Sequence, residues 1–253
     1  MSDEALARRV LTLLDLTDLA DDATEKGARE LCHRAVSGPE QVAAVCLWPR
    51  FVKTARAALG DSPVRIATVV NFPDGDTPVV PAIRETEEAL ADGADEIDLV
   101  LPWRAVIAGE TTAASAMVHQ VKRRCDDKIL KVILETGEYP DLEKVKTAAE
   151  LAIGSGADFI KTSTGKTAQS ATIPAVRVML YVIGMTLRPI GLKPSGGIRT
   201  LADAKLYLNL ADAIMGPDWV SPQTFRFGAS GLYGALLEAI DGSAAGKPAP
   251  GSY

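Results

Sequence analysis

The 253-residue sequence has the length and composition of an ordinary globular protein. Hydrophobic residues make up 47% and charged residues 24% of the chain, which supplies enough apolar material for a large core. The formal net charge of −6 argues against a nucleic-acid surface, and no apolar run approaches the roughly 18 residues that a membrane-spanning helix requires.

The start of the chain and its cysteines predict the compartment. The first residues are acidic and amphipathic, unlike a secretory signal. Cys32, Cys46 and Cys125 are widely spaced and form no Cys-x-x-Cys pair. We therefore expect free thiols in a reduced, cytoplasmic protein.

Short apolar runs alternate with longer helical patterns along the chain. Residues 1–40 are predicted to be an N-terminal helical segment. Strands are then predicted at residues 42–47, 64–70, 96–101, 130–135, 159–163, 190–193, 213–215 and 225–228. Helices are predicted between them, among others at residues 79–91, 112–124, 141–153, 173–183 and 201–210. Residues 241–253 are predicted to be a flexible tail, by their composition.

This alternation predicts an α/β fold with a parallel sheet built from βαβ units. Eight units favour a single-domain (β/α)8 TIM barrel over residues 1–253, with an open doubly wound sheet as the alternative. Because side chains alternate along a strand, polar residues collect on the inner side of several predicted strands: Glu96, Asp98, Lys131, Glu135, Lys161, Ser163 and Lys193. Such an interior is too polar to serve packing alone.

Lys161 and Lys193 end two neighbouring predicted strands, which lie about 4.8 Å apart in a sheet. A buried lysine is costly unless it is paired or neutralised, and an uncharged amine attacks carbonyl groups. Lys161 is therefore a candidate Schiff-base nucleophile, and Lys193 a cation that lowers its amine pKa. Alternatively, both lysines are structural partners of carboxylates such as Asp98.

Asp98 and Cys46 are further interior candidates. A carboxylate beside two lysines can accept and return protons, although charge compensation explains Asp98 equally well. Cys46 is interpreted as a small buried hydrophobe in preference to a reactive thiol. The two histidines fall in helical stretches, so neither a histidine metal site nor a histidine base is expected.

Glycine-rich turns follow three of the late strands, at residues 163–166, 195–199 and 228–231. Glycines let backbone N–H groups converge on an anion, and a helix N-terminus behind the turn adds a favourable dipole. With Lys166 and Arg199 attached, these turns predict a phosphate site. The full nucleotide P-loop pattern is absent.

Several motifs, in this order along the chain, resemble the deoxyribose-phosphate aldolase family. They are Leu-Asp-Leu-Thr (14–17), Val-Cys-Leu-Trp-Pro-Arg-Phe (45–51), Val-Val-Asn-Phe-Pro (69–73), Ala-Asp-Glu-Ile-Asp-Leu-Val (94–100), Lys-Val-Ile-Leu-Glu-Thr-Gly-Glu (131–138), Phe-Ile-Lys-Thr-Ser-Thr-Gly-Lys (159–166), Gly-Leu-Lys-Pro-Ser-Gly-Gly-Ile-Arg (191–199) and Arg-Phe-Gly-Ala-Ser (226–230). The resemblance implies a class I aldolase without metal or cofactor. It would cleave 2-deoxy-D-ribose 5-phosphate reversibly to acetaldehyde and D-glyceraldehyde 3-phosphate in deoxyribonucleotide catabolism.

The resemblance also implies residue roles. Lys161 matches the Schiff-base lysine, Lys193 the lysine that depresses its pKa, and Asp98 the proton-transfer aspartate. Tyr253 matches a C-terminal tyrosine that assists proton transfer at the enamine carbon. Substrate-binding positions are matched by Thr17, Cys46, Thr164, Gly165, Lys166, Gly196, Gly197 and Ser230.

Two departures and two rival functions complete the prediction. Gly231 stands where relatives often have a second phosphate-turn serine, and Trp103 replaces a more usual tyrosine. A transaldolase-like enzyme with a ketone donor, or a sugar-phosphate sensor without catalysis, would share much of the site. Expected partners are a phosphorylated sugar and aldehydes, without nucleic acid or membrane, in a homo-oligomer for which a dimer is favoured over a tetramer.

Overall fold

In the computed structural model, which describes residues 1–242, eight parallel strands form one sheet that closes into a barrel. Strands β1 to β8 span Leu14–Asp18, Ala44–Leu47, Arg65–Val70, Glu96–Val100, Ile129–Ile133, Phe159–Lys161, Gly191–Lys193 and Phe227–Ala229. Each strand pairs with its neighbours in the order β7-β6-β5-β4-β3-β2-β1-β8. Parallel bridges from Leu192 to Phe225 and from Ser195 to Gly228 join β7 to β8 and close the ring. The predicted (β/α)8 TIM barrel is confirmed.

Helices follow the strands and cover the outside of the barrel. Helices α1 to α10 span Asp3–Thr12, Glu25–Ser37, Val52–Leu59, Val79–Ala91, Trp103–Ile107, Thr111–Cys125, Leu142–Gly154, Ile173–Gly184, Leu201–Met215 and Leu232–Ile240. Short 3-10 turns occupy Pro49–Phe51 and Thr136–Glu138. Polar side chains just before five helices accept a hydrogen bond from the backbone N–H three residues on, which fixes where each helix begins: Ser2, Thr24, Asp141, Thr172 and Thr200.

The prediction that residues 1–40 are helical is wrong in one respect, because the segment contains β1. Helix α1 ends at Thr12, and Leu14–Asp18 then pairs with β2 on one side and β8 on the other. Leu14 and Leu16 are buried in the main core, whereas Asp15 points towards buried cations inside the barrel. Aspartate is depleted in strands, and here its ion pairs offset that preference.

The strand predicted at residues 213–215 is also wrong, because these residues form the last turn of α9. A run of three apolar residues is too short for its periodicity to separate a strand from a helix. In the helix, Leu210 and Ala211 are buried and Ile214 and Met215 pack against the core. Adding β1 and removing this segment keeps eight strands in the described part of the chain.

Two apolar clusters hold the barrel together. The larger lies between the sheet and the helices and includes the outward-facing Val45, Leu99 and Leu192. The smaller lies inside the barrel beside β2 and β3 and consists of Leu19, Ala44, Cys46, Ala67 and Val69, with Trp48 and Phe72 packed against it. The remaining interior, beside β1 and β4 to β8, carries charged side chains. The barrel interior is thus apolar on one side and ionic on the other.

Within residues 1–242, no helix is long and apolar enough to cross a membrane. The chain leaves α10 in a turn at Asp241 and Gly242. Residues 243–253, which include most of the predicted flexible tail and Tyr253, lie outside the described residues.

Candidate active site

A cavity of about 710 Å³ opens at the end of the barrel where the strands finish. Its walls come from the residues that end or follow β1, β6, β7 and β8. This is the end at which barrels of this architecture place their chemistry. Most of the predicted site residues line it: Thr17, Lys161, Thr164, Gly165, Lys166, Gly196, Gly197 and Ser230, with Arg199 and Gly231 beside them.

Asp98 of β4 is the centre of the charged interior. Its Oδ2 atom accepts hydrogen bonds from the Nζ atoms of Lys161 and Lys193, each at 2.8 Å, and its Oδ1 atom accepts one from Lys131 at 3.0 Å. Strand register produces this arrangement, because Lys161 pairs with Lys193 and Asp98 with Lys131 across neighbouring strands. A carboxylate therefore bridges the two lysines that the sequence singled out.

Further ion pairs lie beneath Asp98. Lys193 Nζ is 2.6 Å from an Asp15 carboxylate oxygen, and Lys131 Nζ is 2.5 Å from Glu96. Arg226 joins Asp15 at 2.7 Å and Glu96 at 3.0 Å. This buried network, as we call it, combines four basic side chains with three carboxylates among the described residues: Lys131, Lys161, Lys193 and Arg226 with Asp15, Glu96 and Asp98.

Burial and neighbouring charges set the protonation of the network. Burial alone would raise the pKa of Asp98, but positive charge on the surrounding lysines, Lys131 first, outweighs burial and holds that pKa well below its usual range. Burial would likewise lower the pKa of Lys193, yet the Asp15 and Asp98 carboxylates outweigh it and raise that pKa. Asp98 is therefore an anion and Lys193 a cation throughout the physiological pH range.

Lys161 differs from the other lysines of the network in its access to the cavity. Lys131 and Lys193 are fully buried, whereas Lys161 lines the cavity and keeps 3% of its surface exposed. Among residues 1–242 it is the amine of this network that a carbonyl compound in the cavity can reach.

Cys46 lies in the small apolar cluster inside the barrel and is fully buried. Burial raises the pKa of its thiol above the ordinary value, so the less reactive protonated form is favoured. Within the described residues, the walls of the cavity do not include Cys46. The structure does not bring it to the surface that the other predicted binding residues share.

Backbone conformation makes glycine necessary in the turns that line the cavity after β6 and β7. Gly165, Gly196 and Gly197 have φ angles of +81°, +80° and +76°, which side chains other than glycine rarely adopt. A Cβ atom at Gly196 would also overlap the Ser170 hydroxyl. Ser230 stands just before the N-terminus of α10, where a helix dipole favours an anion.

Lys166, which lines the cavity, is paired with a carboxylate of the loop after β1. Its Nζ atom lies 2.6 Å from an oxygen of Asp21 and 5.9 Å from the centre of the Trp48 ring. The Trp48 indole N–H donates to the Ala20 carbonyl at 2.9 Å and so fixes the loop that carries Asp21. Lys166 is thus held by the loop after β1 in this structure.

Thr164 is held by a buried carboxylate. Its hydroxyl donates to Glu135 Oε2 at 2.5 Å and its backbone N–H donates to Glu135 Oε1 at 3.1 Å. The same hydroxyl accepts a 3.0 Å hydrogen bond from the Lys166 N–H. Burial raises the pKa of Glu135, although the hydrogen bonds from Thr164 oppose this. Glu135 therefore fixes the turn that carries Thr164, Gly165 and Lys166.

Two parts of the site were absent from the predicted roles. Asp15 was placed in a helical segment, although the alternation of leucine with polar residues at 14–18 is typical of a half-buried strand. Arg226 appeared as part of a motif without a role of its own, and no local pattern connects it with Glu96, which is 130 residues away. Within residues 1–242, no group of three or more His, Cys, Asp and Glu side chains could hold a metal ion.

Comparison with known proteins identifies the family. Residues 9–230 match the model of the DeoC/LacD family of aldolases. This chain belongs to that family. A curated relative, a deoxyribose-phosphate aldolase from Agrobacterium fabrum, is 51% identical over 247 residues, which are 97% of this chain and 95% of the relative.

Solved structures of this aldolase family are similar in fold. A candidate deoxyribose-phosphate aldolase from Toxoplasma gondii ME49, in its apo form, is 27% identical and superposes with a TM-score of 0.88, covering 95% of this chain and 97% of the other. The deoxyribose phosphate aldolase of Aeropyrum pernix, which is a tetramer, is 26% identical with a TM-score of 0.71, covering 95% and 92% of the two chains.

Proposed function

We propose that this aldolase cleaves 2-deoxy-D-ribose 5-phosphate reversibly to acetaldehyde and D-glyceraldehyde 3-phosphate, through a Schiff base on Lys161. The observation that carries the proposal is the access of the Lys161 amine to a cavity whose walls include glycine turns. The 51% identity to a deoxyribose-phosphate aldolase supports the choice of substrate.

The charge balance of the buried network supports Lys161 as the nucleophile. Lys131, Lys193 and Arg226 together offset the charges of the three carboxylates, so an uncharged Lys161 amine leaves the network neutral. A fourth buried cation would have no carboxylate of its own within the network. In this account Lys193 is the cation that favours the neutral amine of Lys161.

The reaction then follows from the positions of Lys161 and Asp98. Lys161 Nζ attacks the aldehyde carbon C1 of the substrate, and the resulting carbinolamine takes up a proton and loses water to give a protonated imine. Breaking the bond between C2 and C3 sends its electron pair into the imine as the C3 hydroxyl loses its proton. Asp98, 2.8 Å from Lys161 Nζ, accepts and returns the protons. Protonation of the enamine at C2 and hydrolysis release acetaldehyde.

In this proposal the glycine turns of the cavity bind the phosphate. Backbone N–H groups at Gly165, Gly196 and Gly197, the Ser230 hydroxyl and the Lys166 ammonium would face it, with Thr17 and Thr164 near the substrate hydroxyls. Holding the phosphate fixes C3 relative to the imine. Gly231 offers a backbone N–H where a serine would add a hydroxyl, so we expect tolerance of unphosphorylated aldehydes.

The proposal also covers the C-terminal tyrosine, the assembly of the protein and its compartment. Tyr253, which lies outside the described residues, would assist proton transfer at the enamine carbon. We further propose a single-domain chain that acts as a cytoplasmic homo-oligomer in deoxyribonucleotide catabolism. The tetrameric Aeropyrum pernix relative supports oligomerisation but not the dimer that the sequence favoured.

Steady-state kinetics of a lysine variant tests the proposed function. Lys161→Ala removes the amine from the cavity, so acetaldehyde release from 2-deoxy-D-ribose 5-phosphate should fall at least about 1,000-fold, because the covalent route is lost. Lys26→Ala, at an exposed position of α2, is the matched control and should match the wild type. Turnover by Lys161→Ala near the wild-type rate would rule out the Schiff base. A wild-type enzyme that cleaves only ketone-derived aldols would favour the transaldolase-like rival.

A further inference from the structure

Ser195 lines the cavity, and its buried side-chain hydroxyl has no partner among the described residues. Ser195 is 4% exposed, and its Oγ atom has no hydrogen-bond partner within residues 1–242. The backbone of the same residue is fully engaged, since its N–H donates to the Thr162 hydroxyl at 2.9 Å and its carbonyl accepts from the Ala171 N–H at 3.2 Å. Buried polar groups normally have partners, and an unpaired one is costly.

In the chain, Ser195 lies between Lys193 and the glycine turn at Gly196 and Gly197, which is proposed to bind the phosphate. It follows Lys193 by two residues on the same strand end, and Gly196 and Gly197 come directly after it. A Cβ atom at Gly228 would overlap the Ser195 hydroxyl and would lie 3.0 Å from Lys193 Cε. The hydroxyl is thus packed beside the Lys193 side chain, and Gly228 leaves the room that it needs.

Ser163 offers a comparison within the same barrel. It follows Lys161 by two residues and is fully buried, and its hydroxyl also has no hydrogen-bond partner in the described part of the chain. The cavity walls, however, include Ser195 and not Ser163. An unpaired hydroxyl on a residue that lines a cavity can be satisfied by a ligand that enters the cavity, whereas one on a residue enclosed by protein cannot.

We propose that Ser195 Oγ forms a hydrogen bond with the substrate hydroxyl on C4, which is carbon 2 of the aldehyde acceptor in the synthetic direction. This inference rests on the proposed function. Between the imine carbon on Lys161 and the phosphate on C5, the substrate carries hydroxyls on C3 and C4, and the C3 oxygen is the reacting one. The C4 hydroxyl lies next to the phosphate-bearing carbon, as Ser195 lies next to the glycines of the phosphate turn. Ser195 is therefore a specificity residue for α-hydroxy aldehyde acceptors.

This hydrogen bond predicts that the enzyme prefers aldehyde acceptors that carry a hydroxyl on carbon 2. An acceptor with the hydroxyl pairs the Ser195 group, whereas one without it leaves that group unpaired when the ligand fills the cavity. Wild-type enzyme should therefore prefer D-glyceraldehyde 3-phosphate to 3-phosphooxypropanal, which is the same molecule without the hydroxyl on carbon 2. Ser195→Ala should abolish most of this preference.

The experiment measures kcat/KM for both acceptors with acetaldehyde as donor, in wild type, Ser195→Ala and Ser163→Ala. We expect Ser195→Ala to lower kcat/KM for D-glyceraldehyde 3-phosphate about 10-fold. Its kcat/KM for 3-phosphooxypropanal should stay within about twofold of the wild-type value. Ser163→Ala should keep the wild-type ratio. Because each ratio is taken on one preparation, the folded fraction of a variant cancels.

Three results would overturn the assignment. Equal losses for both acceptors in Ser195→Ala would indicate a structural role, and no loss for either would indicate that water satisfies the hydroxyl. A changed ratio in Ser163→Ala would show that the effect does not depend on facing the cavity. Wild-type enzyme that condenses neither acceptor with acetaldehyde would refute the proposed function itself, which separates that failure from a failure of the Ser195 assignment.

Discussion

The buried carboxylate of Asp98 contacts three lysines. Removing a single partner from a buried ion network leaves an uncompensated charge, which is more costly than the loss of an exposed pair. Lys131 and Lys193 have further carboxylate partners in Glu96 and Asp15, whereas the contact of Lys161 within the network is with Asp98. Among the described residues, Lys161 therefore depends on Asp98 alone of the three network carboxylates.

Lys166 shows how an exposed ion pair can regulate substrate entry. Asp21 holds the Lys166 ammonium at 2.6 Å, so a phosphate that binds Lys166 competes with Asp21. Asp21→Asn should therefore lower the KM for the phosphorylated substrate by a factor of about 2 to 5, a small effect because exposed ion pairs are weak. Steady-state kinetics at low ionic strength measures it.

Two comparisons separate this competition from a general loss of negative charge. Asp22→Asn removes the same charge from the next residue and should leave the KM near the wild-type value. High salt should narrow the difference between Asp21→Asn and the wild type, because it screens the exposed pair. A raised KM in Asp21→Asn would show that Asp21 positions Lys166 for substrate instead of competing for it.

At the scale of single residues, the alternation of side chains along strands predicted much of the interior. Placing Asp98, Lys161 and Lys193 on inner faces required only strand type and register. It could not reveal that Asp98 bridges the lysines or that Glu135 holds Thr164, because those contacts join residues 29 to 95 positions apart. Cys46 was correctly assigned to the interior, but its separation from the cavity depends on the packing of neighbouring strands.

Element boundaries were predictable where local chemistry is strong. Thr200 accepts a hydrogen bond from the Asp203 N–H, and the Asp203 side chain accepts in return from the Thr200 N–H, which together cap α9. Two errors arose where such signals were weak. The short run at 213–215 continues a capped helix, and β1 was obscured by the aspartates within it.

The cap of α9 gives a prediction for stability. Thr200→Ala removes the side-chain acceptor at the start of the helix and should lower the free energy of unfolding by about 1 kcal/mol. Thr200→Ser retains a hydroxyl at the cap and should remain close to the wild type. Urea denaturation of the three proteins measures the difference. Equal stability of Thr200→Ala and the wild type would mean that solvent replaces the cap.

At the scale of the whole molecule, the buried titratable groups predict that the free energy of unfolding is nearly constant at intermediate pH and falls at both extremes. Lysine and arginine charges outweigh burial and lower the pKa values of Asp15 and Asp98 below their ordinary value of 3.8. Carboxyl groups whose pKa is lower in the folded chain stabilise it above about pH 4, and this stability is lost as the pH falls further. Acid should therefore unfold the protein below about pH 4.

On the alkaline side, the stability of the fold falls as the pH rises. Burial raises the thiol pKa of Cys32 to about 11 and that of Cys125 to about 12, from 9.0. Groups with raised pKa values stabilise the fold fully below the unfolded value, and this stability declines as the pH rises through the folded value. Thermal unfolding midpoints should thus fall above about pH 9, and less steeply in Cys125→Ala. An identical alkaline slope in that variant would contradict the assignment.

The central claim is that Lys161 is the amine that forms the Schiff base. The most direct measurement is peptide mass analysis after borohydride reduction of the enzyme in the presence of acetaldehyde, which converts an imine into a stable secondary amine. We predict a two-carbon adduct on the peptide that contains Lys161, and no such label on Lys131 or Lys193, which are fully buried. An adduct on Lys193, or no labelled lysine at all, would contradict the account.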